Sequence, residues 1–262
     1  MMRIKNLAFS GNHGILSLFV VAAVLFQYGC SNNNSGNAAE SVSDTSTINT
    51  GQDGFVTIFD GQSLDGWEGS PDNWKVDDGA IVGYTSDAKP LENNTFLIWR
   101  NGQPGDFELK LEFKISAKGN SGVQYRSEEL KDPPLALKGY QADIDGNNTY
   151  TGQNYEERGR GFLAKRGEIA LLKTGEDPTI TGSLGDGDEL KAKINHEDWN
   201  TLHIIVEGNH LKHYVNDVLM SEVIDEDPNA RKMQGHLGLQ VHKGPPMEVR
   251  YRNIQYKNLN GQ

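Results

Sequence analysis

The strongest constraint on the fold of this chain is a ten-residue segment, residues 106–115, in which apolar and charged side chains alternate. The apolar side chains stand at every second position, at Phe107, Leu109, Leu111, Phe113 and Ile115. Because successive side chains of a strand point to opposite faces of a sheet, this period of two predicts a strand with one buried face. The chain is therefore expected to build a sheet that packs on an apolar core.

Shorter segments of the same type fill the chain from residue 55 onwards. Residues 73–83 predict a hairpin over an Asp-Gly turn, and residues 235–242 and 247–256 predict two closing strands. We count about a dozen such strands and no long amphipathic helix. This pattern predicts an all-β fold, an antiparallel β-sandwich of the jelly-roll type, in a single domain over residues 55–262.

The N-terminus predicts export. Arg3 and Lys5 precede an apolar run, which is typical of a secretory signal over residues 1–29 and is short for a membrane span. Cys30 is the only cysteine of the chain, and its position resembles that of the lipidated cysteine in a bacterial lipoprotein. We expect an exported protein that is anchored to the membrane through a lipid on Cys30 and faces the periplasm or the cell surface.

Composition argues against several classes of partner. Residues 30–54 are rich in Ser, Asn and Gly, and they predict a flexible tether between the anchor and the domain. The domain beyond Cys30 has no cysteine, so no disulfide partner is expected and an apolar core must supply the stability. The formal net charge is -11, without a basic stripe, which disfavours nucleic acid and favours a neutral, sugar-like ligand.

Two neighbouring segments with alternating polar residues form the candidate binding site. In residues 120–126, Gln124 and Arg126 are expected on one sheet face; in residues 139–145, Gln141, Asp143 and Asp145 are expected on one face. If both faces lie on the same side of a sheet, they form a polar floor. The same rule adds three side chains opposite buried apolar neighbours, at Glu112, Gln240 and His242.

Eight phrases, in order along the chain, resemble the 3-keto-disaccharide hydrolase domain family. They are FDGQSLDGW, WKVDDGAIVG, DFELKLEF, NSGVQYR, GYQADID, EDWNT, GLQVH and YRNI. The resemblance spans residues 55–259 and implies a concanavalin A-like jelly roll with a carbohydrate-binding concave face. It also implies action on glycosides oxidised to a ketone at C3, and export from bacteria. Residues 155–164 match a subset of such domains, so the substrate can differ from a simple disaccharide.

A 3-keto sugar makes the proton on C2 acidic, because its removal gives an enolate. Our hypothesis is that His242 or Asp143 removes this proton and that Arg126 holds the oxyanion at O3. Glu112 or Asp145 would protonate the leaving oxygen. After elimination of the C1 substituent, addition of water would complete a hydrolysis. Four side chains are expected to bind the substrate: Gln124, Gln141, Asp145 and Gln240.

Other interpretations fit the same residues. Arg126 and Asp143 could form a structural ion pair, Glu112 could be an exposed strand carboxylate, and His242 and the glutamines could be ordinary surface side chains. A two-carboxylate glycosidase would need an acid and a second carboxylate, which Glu112, Asp143 and Asp145 could supply.

A non-catalytic carbohydrate-binding module is the main alternative function. The polar insertion over residues 174–198 could form a site wall or contact a partner protein.

The sequence predicts no firm cofactor or metal. Asp143, Asp145 and Asn147 have the spacing that begins a calcium loop, but the glycine and glutamate that complete one are missing. His210 and His213 lie on a predicted strand at a spacing that turns their rings to opposite faces, which disfavours zinc. A divalent cation that assists enolate formation stays possible.

Overall fold

The structure is a computed structural model, and it describes residues 53–260. The predicted signal sequence, the lipidation at Cys30 and all but the last residues of the predicted tether lie outside the described residues. Within residues 53–260, no helix is long and apolar enough to cross a membrane. Strands make up almost all of the regular secondary structure of the described chain.

Seventeen strands and one short helix are present in the described chain. In chain order they are β1 (Val56–Thr57), β2 (Trp67–Glu68), β3 (Trp74–Asp77), β4 (Ala80–Tyr84), β5 (Thr95–Trp99), β6 (Phe107–Ile115), β7 (Asn120–Leu130), β8 (Ala136–Asp145), β9 (Asn154–Glu157), β10 (Gly161–Ala164), β11 (Glu168–Leu172), β12 (Thr179–Ser183), α1 (Gly187–Lys191), β13 (Asn200–Glu207), β14 (His210–Val215), β15 (Val218–Asp225), β16 (His236–Val241) and β17 (Glu248–Asn258).

The strands form two sheets. The ten-stranded sheet has the order β12-β11-β15-β14-β13-β6-β17-β4-β3, with β1 also paired to β17, and the seven-stranded sheet has the order β10-β9-β8-β7-β16-β5-β2. Neighbours are antiparallel except for β11 and β15, which run parallel. The predicted all-β fold, an antiparallel β-sandwich of the jelly-roll type, is confirmed.

The core lies between the two sheets and follows the period of two. All five apolar side chains of β6 are buried in it, and the side chains between them are half-buried or exposed. From the seven-stranded sheet, Val123 and Tyr125 of β7 and Tyr140, Ala142 and Ile144 of β8 pack into the same core. The residues between them therefore lie on the outer face, the face turned away from the other sheet.

A small second cluster of apolar side chains covers part of this outer face. Phe96 and Ile98 of β5 and Leu137 of β8 are fully buried there, with Leu135 packed against them. This cover removes water from the neighbouring polar floor, which explains how side chains on an outer face become buried.

Arg126 does not share the face of Gln124, contrary to the prediction. The pairing of β7 with β8 shifts between Tyr125 and Glu128, and Arg126 adopts a positive φ of 46°. Such a β-bulge inserts a residue and breaks the alternation of faces. The side chain is consequently only 1% exposed, and it turns away from the polar floor.

The guanidinium of Arg126 joins several loops. It donates to the carbonyl oxygens of Gly105 at 2.8 Å and Gly208 at 2.6 Å, and to Asp106 Oδ1 at 2.6 Å. A weaker bond of 3.2 Å reaches the Lys232 carbonyl. The roles predicted for Arg126, as oxyanion holder or as ion-pair partner of Asp143, are therefore wrong. It is a structural cation.

Glu112 belongs to the other sheet. It lies on the outward face of β6 in the ten-stranded sheet, where Arg252 Nε donates to it at 2.8 Å and Asn253 Nδ2 at 2.6 Å. The core separates it from the polar floor of the seven-stranded sheet. The prediction that Glu112 shares a site with Asp143 is wrong, and the interpretation as a strand carboxylate in a surface ion pair fits.

Candidate functional site

Three glutamines on three adjacent strands form a chain of hydrogen bonds that ends on Asp143. Gln141 Oε1 accepts from Gln124 Nε2 at 3.2 Å and from Gln240 Nε2 at 3.0 Å. Gln141 Nε2 in turn donates to Asp143 Oδ1 at 2.7 Å. Ser127 Oγ donates to Gln124 Oε1 at 3.0 Å, which fixes the first amide. We call Gln124, Gln141 and Gln240 the amide relay.

A glycine makes room for the amide relay. Gly122 pairs with Asp143 across β7 and β8, and a Cβ atom there would lie 2.5 Å from Gln141 Cδ. A larger residue would therefore displace the Gln141 side chain. The predicted neighbourhood of Gln124, Gln141, Asp143 and Gln240 on one face of the sheet is present in the structure.

Beside the relay lies a cavity of about 180 Å³, which we call the polar cavity. It is lined by Asn120, Gln141, Asp143, Tyr150, Tyr155, Glu157, Phe162 and His242. It thus combines two carboxylates, an imidazole and three aromatic rings. Gln124 and Gln240 lie behind Gln141 and do not line the cavity. Instead of the predicted contact with substrate, they hold the Gln141 amide in place.

Asp143 has the most perturbed carboxyl group of the cavity. Burial, together with the charges of Asp145 and Glu157, raises the pKa of Asp143 to about 8, although the hydrogen bond from Gln141 acts in the opposite direction. A base whose pKa lies close to neutral pH accepts a proton from carbon and releases it again readily. Perturbed carboxyl groups of this kind are common at functional sites.

His242 lies at the rim of the same cavity. Its Nδ1 approaches the carbonyl oxygen of Lys243 at 2.5 Å. Because a carbonyl oxygen only accepts, Nδ1 carries the hydrogen, and Nε2 of the neutral ring is the acceptor. His242 and Asp143 can therefore contact the same bound molecule.

Asp145 has a structural position. Its carboxylate accepts hydrogen bonds from the backbone N–H groups of Thr149, Tyr150 and Thr151, at 3.0, 2.7 and 2.9 Å. The Asp145 carboxylate therefore stabilises a turn. It does not take the roles considered for it from the sequence, which were substrate binding, protonation of the leaving group and the start of a calcium loop. This turn carries Tyr150 to the polar cavity.

The sequence pattern did not indicate Glu157 or the aromatic residues as part of the site. Glu157 follows Tyr155 by two positions on β9, and both line the polar cavity. Asn94 Nδ2 donates to Glu157 Oε1 at 3.1 Å. The period of two could have found this pair, but β9 has only four residues, and the period is weak over so short a strand.

Three aromatic rings edge the polar cavity. Phe162 stacks on Tyr150 with ring centroids 5.6 Å apart and meets Tyr155 edge-on at 5.0 Å. Tyr150 and Phe162 are exposed. Exposed rings beside a polar floor can pack against the apolar face of a sugar ring, while the polar groups bind its hydroxyls.

A larger open groove, of about 960 Å³, lies elsewhere and contains neither Asp143 nor any glutamine of the relay. Two of its carboxylates, Glu68 and Glu129, are already paired with Arg100 beside the groove. Arg100 donates to both oxygens of Glu129, at 2.6 and 2.9 Å, and to Glu68 at 2.6 Å. The polar cavity is therefore the better candidate site, although it is smaller.

The possible zinc pair is not assembled. His213 is buried in the core and its Nε2 lies 2.8 Å from Tyr125 Oη, whereas His210 points outward to Glu222. Among residues 53–260, no group of three or more His, Cys, Asp and Glu side chains is arranged to hold a metal ion.

The fold and the polar cavity together define a β-sandwich protein with a candidate ligand site on the outer face of one sheet. The sequence profile of the 3-keto-alpha-glucoside-1,2-lyase-like domain matches residues 54–257. The chain belongs to this family.

Relatives agree with this assignment. A protein of Bacteroides thetaiotaomicron named 3-keto-disaccharide hydrolase is 32% identical over 104 residues, which are 37% of this chain and 32% of that protein. The match thus covers about a third of the relative's length. Two crystal structures of candidate glycosyl hydrolases from Parabacteroides distasonis have the same fold. One is 18% identical with a TM-score of 0.53, covering 79% of this chain and 95% of that one. The other is 17% identical with a TM-score of 0.52, covering 78% and 99%.

Proposed function

We propose that this domain is a carbohydrate-active enzyme that cleaves 3-keto glycosides, with Asp143 as the general base. The observation that carries the proposal is a carboxyl group with a pKa of about 8, held by an amide relay, in a cavity edged by aromatic rings. Membership of the family and the name of the B. thetaiotaomicron relative supply the substrate class.

In the proposed reaction the Asp143 carboxylate takes the proton from C2, and the electron pair of the C–H bond forms an enolate with the C3 carbonyl. The enolate then re-forms the ketone and expels the C1 substituent, which leaves a double bond between C1 and C2. The departing oxygen takes up one proton. Water then adds its hydroxyl group to C1, C2 takes back the proton held by Asp143, and the other proton of the water replaces the one given to the departing oxygen, so the net reaction is hydrolysis.

The residues of the cavity divide the remaining tasks. With Arg126 and Glu112 excluded by their positions, the candidates that supply a proton to the leaving oxygen are Nε2 of His242, when the ring carries both hydrogens, and Glu157 in its protonated form. Asn120 and Tyr155 are neutral donors for the oxyanion at O3. Burial and the nearby charges of Glu157 and Asp143 raise the pKa of Tyr155, so its hydroxyl keeps its hydrogen.

The test uses a 3-keto glycoside with a chromogenic aglycone, alongside the same glycoside without the ketone. We expect release from the keto compound only, and a loss of at least about a hundredfold in kcat for D143N, as is usual when a general base is removed. The amide oxygen introduced by D143N would still accept the hydrogen bond from Gln141. E112Q, an equivalent change on the opposite sheet, is the matched control and keeps full activity.

Each other outcome favours a different function. Release from both glycosides would favour a two-carboxylate glycosidase that uses Asp143 and Glu157. Binding of the keto glycoside without release would favour a carbohydrate-binding module. Full activity of D143N would refute the assignment of the base. Loss of activity with a chelator, restored by a divalent cation, would add a metal to the proposed site.

We also propose that the domain acts outside the cytoplasm, exported by residues 1–29 and anchored through Cys30. The basis is the sequence of the N-terminus alone.

A further inference from the structure

We propose that an apolar cavity next to the polar cavity receives the aglycone, so that this protein prefers 3-keto glycosides with an aryl or other apolar aglycone. The inference rests on the proposed function and adds a specificity to it. The second cavity, of about 250 Å³, is lined by Phe162, Leu163, Ala164, Lys165, Glu168, Pro178 and Ile180. We call it the apolar cavity.

Phe162 connects the two cavities. Its ring lines the polar cavity together with Tyr150 and Tyr155 and also lines the apolar cavity. A sugar bound over Asp143 with its C1 substituent directed past Phe162 would place that substituent in the apolar cavity. The two cavities can therefore bind two parts of one molecule.

Five of the seven lining residues have apolar side chains, and Lys165 and Glu168 supply the charged groups. Phe162 and Ile180 are 42% and 49% exposed, and they are two of the few large apolar side chains that the described chain leaves open to solvent. One oxygen of the Glu168 carboxylate accepts from the Lys165 backbone N–H at 2.7 Å. A second sugar would bring hydroxyls that need partners, whereas an aromatic ring gains free energy by covering Phe162 and Ile180.

The apolar cavity lies where the two sheets approach each other. Phe162 comes from β10, the edge strand of the seven-stranded sheet, and Ile180 from β12, the edge strand of the ten-stranded sheet. Residues 174–198, predicted as a possible site wall, contain β12 and supply Pro178 and Ile180. This insertion thereby forms a wall of the apolar cavity.

The test compares kcat/KM for a phenyl 3-keto glucoside and a methyl 3-keto glucoside in the wild type and in I180S. We expect the wild type to prefer the phenyl compound, and I180S to lose roughly fivefold on it alone, because less apolar surface is covered. I205S, on the outward face of β13, is the matched control and retains the preference. P178S is a second variant in the same wall, and thermal unfolding checks that each variant is folded.

The outcomes separate the two proposals. If neither compound is cleaved, the proposed function fails and the aglycone site fails with it. If both are cleaved equally well, or if I180S and P178S slow both compounds to the same extent, the proposed function stands and the apolar cavity is not an aglycone site.

Discussion

Gln141 Nε2 donates to Asp143 Oδ1 at 2.7 Å while Gln141 Oε1 accepts from two other glutamines. The two incoming bonds fix which end of the Gln141 amide faces Asp143, because only the oxygen can accept from Gln124 and Gln240. The carboxyl group is therefore oriented by three strands at once. This arrangement leads to the first two predictions.

Replacing Asp143 by Asn changes how stability depends on pH. In the folded wild type the pKa of Asp143 is raised from 3.8 to about 8. Between these pH values the folded state binds a proton that the unfolded state does not, so wild-type stability falls as pH rises from about 4 to 8. D143N lacks this loss and should be more stable than the wild type at pH 9, by up to about 5 kcal/mol.

Urea unfolding of both proteins at pH 4 and pH 9 measures this effect. The stability difference between D143N and the wild type should shift in favour of D143N as the pH rises. Parallel stability curves across that range would show that the Asp143 carboxyl is not desolvated.

Replacing Gln141 by Leu should move the pH dependence of catalysis. The hydrogen bond from Gln141 lowers the pKa of Asp143, so its removal raises that pKa further. Because a general base acts in its ionised form, the wild-type rate should rise with pH towards a midpoint near 8, and the Q141L midpoint should lie higher. Profiles of kcat/KM against pH measure the shift. Q255L, on the other sheet, is the control, and an unshifted Q141L profile would contradict the role of the relay.

Replacing Arg126 by Gln should destabilise the fold by about 3 kcal/mol, because Asp106 and three carbonyl oxygens lose a buried cation. R252Q is the matched control. Arg252 pairs with Glu112 at the surface, and its loss should cost less than about 1 kcal/mol. Chemical unfolding of both variants measures the difference. Equal effects would mean that the bonds of Arg126 contribute no more than a surface pair.

Replacing Cys30 by Ser should abolish lipidation. Expressed in a bacterium supplied with labelled fatty acid, the full-length wild type should carry the label and partition with membranes. C30S should carry none and should be recovered in the aqueous fraction. Labelling of C30S would place the lipid elsewhere, and an unlabelled wild type would leave only a cleaved secretory signal.

The period of two predicted much of the structure. It identified the buried face of β6, the core positions of β7 and β8, and the outer positions of Gln124, Gln141, Asp143 and Gln240. Such a period tells which face of a strand is buried but not which sheet the strand joins. Glu112 was therefore placed with Asp143, although β6 lies in the opposite sheet.

The error at Arg126 has a different cause. One inserted residue reverses the alternation of faces, and no residue type in NSGVQYR marks the bulge, since Arg rarely adopts a positive φ. The aromatic rings at Tyr150 and Phe162 come together only through a turn and a bulged edge strand. The sequence predicted the polar floor. It did not predict the aromatic rim, because the rim forms only when separate segments of the chain meet in the folded structure.

The position of β17 constrains the order in which the protein can fold. This strand, the last of the described strands, does not lie at an edge; it pairs with β6 on one side and with β4 on the other. The β3–β4 hairpin thus has no place in its sheet until β17 has been synthesised, and contacts such as Arg252 with Glu112 close a sequence separation of 140 residues. Proteins dominated by such distant contacts fold slowly. A ribosome must therefore complete nearly the whole domain before the ten-stranded sheet can close.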